Sequence, residues 1–343
     1  MNYIGMDGHI TTLNFANVNE TGKVTKVQQV ATSVPNFLKF VRSIPGPRMV
    51  IMEESTLSAW ILEICNQNGE KLVISDPRRN RWIGSAGEKN DPIDAEKLAQ
   101  LARGGYLKEI HHPVGHRRRF RELMIAYHDS NRSITRIKNK IKAKFRQNGI
   151  QCTGDTVYAK HHREEWRQKI PQDASVLVIL DGLWQQLDQT EHTAEAILAI
   201  AKETAKNYPE IKLLDGIPGV GFINAATISA ILETPHRFAN KKKVWMYAGL
   251  GLVRRSSGGK LYTEKLTNEY NRLLKYTVKQ SAHAAIRAGN NPLRRAYLAM
   301  TLQKGIMPHR AELTVARDIL SAAWAMWQNG EAYNWEIDKD IKT

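Results

Sequence analysis

The sequence predicts an α/β domain at the N-terminus followed by a largely helical remainder. Three observations carry that reading. The first hundred residues alternate short apolar strands with helices. Residues 117–146 repeat apolar side chains at three-four spacing on a strongly cationic background. From Leu213 onward, alanine-rich helical segments are broken by glycine turns.

The elements follow in order. Residues 2–7 (NYIGMD) read as a buried strand ending in an acid, and Gly8 permits a tight turn. Residues 10–18 and 23–32 alternate apolar and polar side chains, with 19–22 as a hairpin turn. A short helix over 36–43 is closed by Pro45-Gly46-Pro47. Residues 49–53 (MVIME) form a buried strand that also ends in acids, Glu53 and Glu54. An amphipathic helix over 58–68 stops at Gly69, and 71–75 (KLVIS) is another buried strand. A three-strand meander followed by strands alternating with helices describes a ribonuclease-H-like layer, here residues 1–110.

Residues 87–102 (GEKNDPIDAEKLAQLA) open with polar turn residues and become a helix with Ile93, Leu98 and Leu101 as its apolar positions. Asp91 and Asp94, three apart, lie together on the first turn. Helix capping explains the same pattern: Asp91 as N-cap, Pro92 at the first helical position, Asp94 as a capping-box acid. Paired carboxylates also suit Mg²⁺, which takes one or two carboxylates plus waters and phosphate oxygens. Asp7 ends the first strand and Glu54 follows the fourth, and ligands of open α/β sheets gather at strand carboxyl ends. Four carboxylates brought together need metal to offset their repulsion. Two ions about 4 Å apart clamp the attacking and leaving oxygens of a phosphodiester.

Charge points to the partner. Fifty Lys and Arg against 34 Asp and Glu give a net +16, which predicts a polyanion, with nucleic acid favoured over an anionic membrane. Cys65 and Cys152 form no CxxC pair, so neither a zinc site nor a disulfide framework is expected. No apolar run approaches membrane-spanning length, and the N-terminal residues do not read as a signal peptide, so a cytoplasmic, nucleoid-associated protein is expected. Arg78, Arg79 and Arg81, with Trp82 for stacking, are candidate phosphate holders. Residues 117–146 carry eleven Lys and Arg against two acids, with Arg136, Lys140 and Lys144 on the cationic face. A second long helix over 174–208 is expected to pair with it as an antiparallel coiled-coil stalk spanning 111–208. Residues 153–172 are polar and uninformative, with His161 and His162 read as surface residues.

The third domain is expected over 209–335. Residues 213–232 place a Pro-Gly-Val-Gly turn between two short helices, the pattern of a helix-hairpin-helix, in which Gly219 and Gly221 present backbone N–H groups to a phosphate. An ordinary αα-hairpin is the alternative. Lys241, Lys242 and Lys243 precede a helix with Trp245 and Tyr247. Arg254 and Arg255 adjoin the loop Ser256-Ser257-Gly258-Gly259, where a serine beside cations is either a plain turn residue or a nucleophile toward phosphate. Residues 261–288, 293–302 and 311–329 read as helices, with Arg272, Lys275 and Lys279 adding charge.

Together these pieces resemble the transposases of bacterial insertion sequences that join an N-terminal DEDD, Holliday-junction-resolvase (RuvC)-like domain to a C-terminal serine domain. That group includes the bridge-RNA-guided recombinases. The resemblance covers residues 3–104 and 213–330. It rests on Tyr3-Ile-Gly-Met-Asp7, Glu54-Ser-Thr56 with Trp60, Asp76-Pro77, Lys89-Asn-Asp91-Pro-Ile-Asp94-Ala95, Ile217-Pro-Gly-Val-Gly221, Ala248-Gly-Leu250 and Ser257-Gly258. It implies metal-binding acids at Asp7, Glu54, Asp91 and Asp94, and a catalytic serine at Ser257. Glu53 and Ser256 adjoin two of these positions, so each assignment stands one residue from an alternative. The resemblance further implies Mg²⁺ as cofactor, donor and target DNA as substrates, a structured guide RNA, and a dimer or tetramer. The competing readings are a metal-dependent nuclease of the junction-resolving kind, with Ser257 structural, and a non-enzymatic nucleic-acid scaffold.

Overall fold

A computed structural model describes residues 1–78, 80, 91–257 and 260–334; for Asp91, 255–257 and 260–262 the backbone alone is described. Arg79, Arg81, Trp82, Gly258 and Gly259 therefore lie outside the described residues, as do the side chains of Asp91, Arg255, Ser256 and Ser257. The chain divides into two compact units, Met1–Arg118 and the part from Arg119 onward.

The first unit is a five-stranded mixed sheet. Its strands are β1 (Asn2–Gly8), β2 (Thr12–Val18), β3 (Val24–Ala31), β4 (Arg48–Glu53) and β5 (Leu72–Ser75), in spatial order β3-β2-β1-β4-β5. β1, β2 and β3 pair antiparallel, while β1–β4 and β4–β5 are parallel. The β2–β3 hairpin closes where expected: Gly22 holds φ +86°, and Asn19 Oδ1 accepts from the Lys23 N–H at 2.9 Å. The parallel steps need crossovers, supplied by α1 (Val34–Arg42) and α2 (Ser58–Gln67). Ser33 caps α1, its Oγ accepting from the Asn36 N–H.

Period-two alternation splits the buried residues between two faces. Ile4, Met6, Leu13, Phe15, Val50 and Met52 point toward α1 and α2 and meet Phe37, Phe40, Val41, Ile61 and Ile64. Phe15 stacks on Phe40 with centroids 4.3 Å apart. The other face is covered by α3 (Asp91–Arg103), whose Ala95, Leu98 and Ala99 are buried. Beyond β5 the sheet gains a short antiparallel edge: Ile110 N–H donates to Ile74 O (2.7 Å) and Asp76 N–H to Lys108 O (3.1 Å).

Helix α4 (Gly115–Gln147) begins in the first unit and continues into the second, where α6 (Ala174–Ala205) packs along it. Ile137, Ile141 and Phe145 share a core with Leu180, Trp184 and Leu187. Phe120 and Met124 share another with Ala201 and Ala205, so the two helices run antiparallel. Residues 153–172, polar and uninformative in sequence, contribute to this packing. Val157 is fully buried, α5 (Arg163–Lys169) follows a 3-10 turn, and Arg163 grips Asp188 with two hydrogen bonds of 2.8 and 2.6 Å. Those bonds hold the Asp188 carboxyl below the usual carboxylate range.

The rest of this unit packs around α8 (Phe222–Leu232), buried from Ala225 to Leu232. Around it stand α7 (Pro209–Asp215), α9 (Lys241–Tyr247), α10 (Arg272–Arg287), α11 (Pro292–Leu298) and α12 (Pro308–Asn329). Two expectations are corrected here. Residues 261–288 are not one helix: β6 (Leu252–Ser257) and β7 (Lys260–Leu266) pair antiparallel before α10 begins. A Gly-Gly pair in sequence is a hairpin signal, and the Leu261-Tyr262-Thr263 run suits a strand. Lys241, Lys242 and Lys243 do not precede their helix. They are its first turn, capped by Asn240 Oδ1, which accepts from the Lys243 N–H at 3.2 Å.

Candidate active site and nucleic-acid interface

The acids sit on ends of elements whose directions can be traced. β1 and β4 run parallel, with Met6 opposite Met52, so Asp7 and Glu53–Glu54 fall at the same edge of the sheet. Continuing the register by one residue sets Asp7 beside Glu53, on the face opposite the Met6–Met52 core. That is the face covered by α3.

Two contacts fix the direction of α3. A Cβ built on Gly5 would lie 1.8 Å from Ala95 O, so the helix rests directly on β1 where only glycine fits. At its far end Gln100 Nε2 donates to Gly22 O (2.8 Å), and the Arg103 guanidinium lies beside Gly22. Gly22 is in the turn after β2, whose end pairs with the start of β1. The helix therefore runs antiparallel to β1. Its first turn, with Asp91 and Asp94, points to the edge where Asp7, Glu53 and Glu54 lie.

Each described acid has a neighbour. His9 Nε2 is 3.2 Å from Asp7 Oδ2, and His112 Nε2 is 3.5 Å from Glu54 Oε1. Lys97 Nζ is 3.5 Å from Asp94 Oδ1. Glu53 Oε1 accepts from Asn80 Nδ2 (2.9 Å), and that amide also donates to Ser75 Oγ (2.8 Å). Asp94 and Asp7 are half-buried and Glu54 is exposed. Among the described residues no group of three or more His, Cys, Asp or Glu side chains is gathered to hold an ion.

Ser257 is the last residue of β6, paired with Lys260 across the hairpin, one step past a bulge at Arg255/Ser256. Arg254 is committed within the hairpin, its Nε donating to Glu264 Oε1 at 2.7 Å. Arg78 is likewise committed, to both oxygens of Asp76 (3.0 and 3.2 Å). On α4, Arg136 and Lys140 line a groove with Asp129, Ser133, Gln186 and Thr190. Arg136, Lys140 and Lys144 have no acidic partner among the described residues, whereas Lys138 pairs with Glu191 at 2.9 Å. Gly219 holds φ +80°, and a Cβ there would meet Ser281 O and Ala285 N of α10 at 2.4 Å. Its glycine identity thus serves helix packing. Gly221 is exposed and precedes the first turn of α8, which has no side-chain cap.

Two family models match the chain. Residues 4–148 match that of the N-terminal DEDD domain of IS110 transposases, described as Transposase, and residues 211–299 match the one described as Transposase IS116/IS110/IS902 family. The chain belongs to the IS110/IS116/IS902 transposases. It is similar along nearly its whole length to the transposase for insertion sequence element IS1111A of Coxiella burnetii, 21% identical over 338 residues, 96% of this chain and 90% of the relative. It is 26% identical over 173 residues to an uncharacterized 43.6 kDa protein of insertion element IS110 from Streptomyces coelicolor, covering 50% of this chain and 42% of that one. A 44.8 kDa protein of insertion element IS116 from Streptomyces clavuligerus is 29% identical over 126 residues, 36% of this chain and 31% of that one.

The transposase is thus a DNA recombination enzyme, and no described helix is long and apolar enough to cross a membrane. Its sequence reading passed over His9, His112 and Asn80, which stand against Asp7, Glu54 and Glu53. The available signals were the His directly after Asp7-Gly8 and the His111-His112-Pro113 run. Neither spacing announces its partner, because His112 reaches Glu54 only through the edge segment after β5.

Proposed function

We propose that this transposase cuts and rejoins DNA with an acid cluster in its N-terminal domain and a serine nucleophile in its C-terminal domain. The boundaries are those read from the sequence: a RuvC-like domain over 1–110, a coiled-coil stalk over 111–208, and a serine domain with a helix-hairpin-helix over 209–335. Asp7, Glu54, Asp91 and Asp94 would hold magnesium. Their all-oxygen donor set, carried on β1, β4 and α3, suits that hard cation. When bound, the ion supplies positive charge to a scissile phosphate and its leaving oxygen.

Ser257 attacks the phosphorus through Oγ. The P–O bond to one strand end breaks, a phosphoserine ester forms, and the serine proton ends on the departing oxygen as a hydroxyl. The reverse attack by a hydroxyl of the second DNA releases the serine and joins the strands. Arg255 and Lys241–Lys243 offer phosphate contacts, with Arg254 and Arg78 available once they leave their carboxylates. Arg79, Arg81, Arg136, Lys140, Lys144 and the turn at Gly219–Gly221 are further candidate phosphate contacts. A structured guide RNA selects the site, and protomers of a dimer or tetramer share the two chemistries.

The observation that supports this reading best is the antiparallel seating of α3 on β1, which directs four acid positions to one sheet edge. The test incubates the protein with donor and target DNA, the RNA encoded beside its gene, and Mg²⁺, and looks for protein–DNA adducts. The adduct is expected with the native chain and absent with Ser257→Ala or Asp91→Ala. Mn²⁺ binding, followed by its electron paramagnetic resonance, is expected to weaken in Asp91→Ala and to persist in Ser257→Ala. Strand cutting that survives Ser257→Ala would replace this mechanism with water-driven hydrolysis.

A further inference from the structure

Helix α10 carries a second cationic surface that the acid cluster and the serine do not use. Its sequence, RLLKYTVKQSAHAAIR, contains five Lys, Arg and His residues and no acid. Leu274, Thr277, Val278, Ser281, Ala282 and Ala285 are buried. At about 100° per residue, Arg272, Lys275, Tyr276, Lys279, His283 and Arg287 fall within about 140° of one another on the opposite side. That arc runs the length of the helix, about 24 Å at 1.5 Å per residue.

Most of these charges are unspent. Arg272 and Arg287 have no acidic partner among the described residues. Lys275 Nζ lies 4.2 Å over the Tyr270 ring. Among the described residues one acid, Glu312, pairs with the stripe, 3.8 Å from Lys279 Nζ and 3.7 Å from His283 Nε2. In the middle stands Tyr276, 54% exposed. Its ring is braced edge-on by His128, 6.2 Å between centroids, and His128 is itself hydrogen-bonded to Thr227 Oγ1 at 2.9 Å. The Tyr276 ring thus stands among cations of which Arg272, Lys275 and Arg287 have no acidic partner among the described residues. Cations in a row with a supported ring between them match what a single strand needs: phosphate neutralisation and a stacking face.

We propose that this face of α10 is a track for an unpaired nucleic-acid strand, with Arg272, Lys275, Lys279 and Arg287 on phosphates and Tyr276 stacked on a base. The assignment rests on the reading of this protein as one that opens and rejoins DNA. It does not need the metal or the serine.

The test measures binding of a short labelled DNA strand, an RNA strand of the same sequence and the DNA duplex to the full chain, in EDTA and over a salt series. The combined variant Arg272→Ala, Lys275→Ala, Arg287→Ala is expected to flatten the log–log salt slope for the single strand by about two. Arg287→Gln alone, at the solvent-exposed helix end, is expected to flatten it by about 0.7 and repeats the test on a minimal change. Tyr276→Ala is expected to weaken single-strand binding by roughly five- to hundredfold, Tyr276→Phe to preserve it, and neither to move duplex binding. Whether the DNA or the RNA strand shows the loss identifies the strand that lies here. An unchanged slope, or a Tyr276→Ala chain that binds like the native one, overturns the proposal. Asp7→Asn and Ser257→Ala are expected to bind normally in this assay, so failure of the recombination mechanism leaves the track intact and the reverse is equally visible.

Discussion

Glu53 and Glu54 are neighbours in sequence but not in surroundings. Glu53 is tied to Asn80, and its carbonyl-type oxygen is all that bond requires. Glu53→Gln keeps the acceptor and is expected to leave DNA cutting within a few-fold of the native rate. Glu54, exposed beside His112, has no structural bond of that kind to preserve. Glu54→Gln is expected to lower cutting by at least about a hundredfold at limiting Mg²⁺, as for loss of a charged metal ligand. A titration of cutting against Mg²⁺ for both variants checks the assignment, and the opposite ranking would move the ligand to Glu53. Gly5 acts at the same scale but on stability. A methyl group there would occupy the position of Ala95 O, so Gly5→Ala is expected to cost the first unit about 3 kcal/mol in urea unfolding. The positions of the acids were readable because strand ends and helix starts have local signatures. Their partners were not: Glu54 and His112 meet across 57 intervening positions, and no local pattern encodes that.

At the scale of elements, α4 and α8 meet through His128. Burial, and secondarily the nearby Arg132 charge, lower its pKa below the ordinary 6.5, while Asp129 opposes the shift. The folded chain therefore holds fewer protons on this ring than the unfolded chain does just below pH 6.5. Stability from His128 is complete above that value and is lost as pH falls through the window beneath it. The melting temperature is expected to drop between about pH 7.5 and 5.5, and His128→Gln to reduce that dependence. A native chain whose melting rises on acidification over that range would refute the assignment. The elements themselves were largely legible: the meander, the alternating strands and helices, and both long helices lie within a few residues of their expected places. The β6–β7 hairpin was the failure. Its strands are only six and seven residues long, and their polar side chains give no clean alternation. Gly219 also packs its backbone against α10, a contact that leaves no trace in spacing.

At the scale of the whole molecule, two compact units share a net charge of +16. Among the described residues, Arg136, Lys140 and Lys144 of α4 and Arg272 and Arg287 of α10 have no carboxylate partner, so their charge remains available to phosphates. Duplex binding by the full chain is expected to weaken by about a thousandfold or more between roughly 50 and 200 mM salt, and an anisotropy titration measures it. A flat dependence would show that these cations are silent in binding. The direction of α3 also sets the electrostatics at the end of β1. Because that helix starts at the carboxylate edge, the partial positive charge of its amino-terminal peptide dipoles, about half an elementary charge, faces Asp7 and its companions. A negative charge close to that helix end is favoured by about 0.3–1 kcal/mol. A helix laid the other way would have turned its electron-rich carbonyl end to that edge and repelled any phosphate brought there.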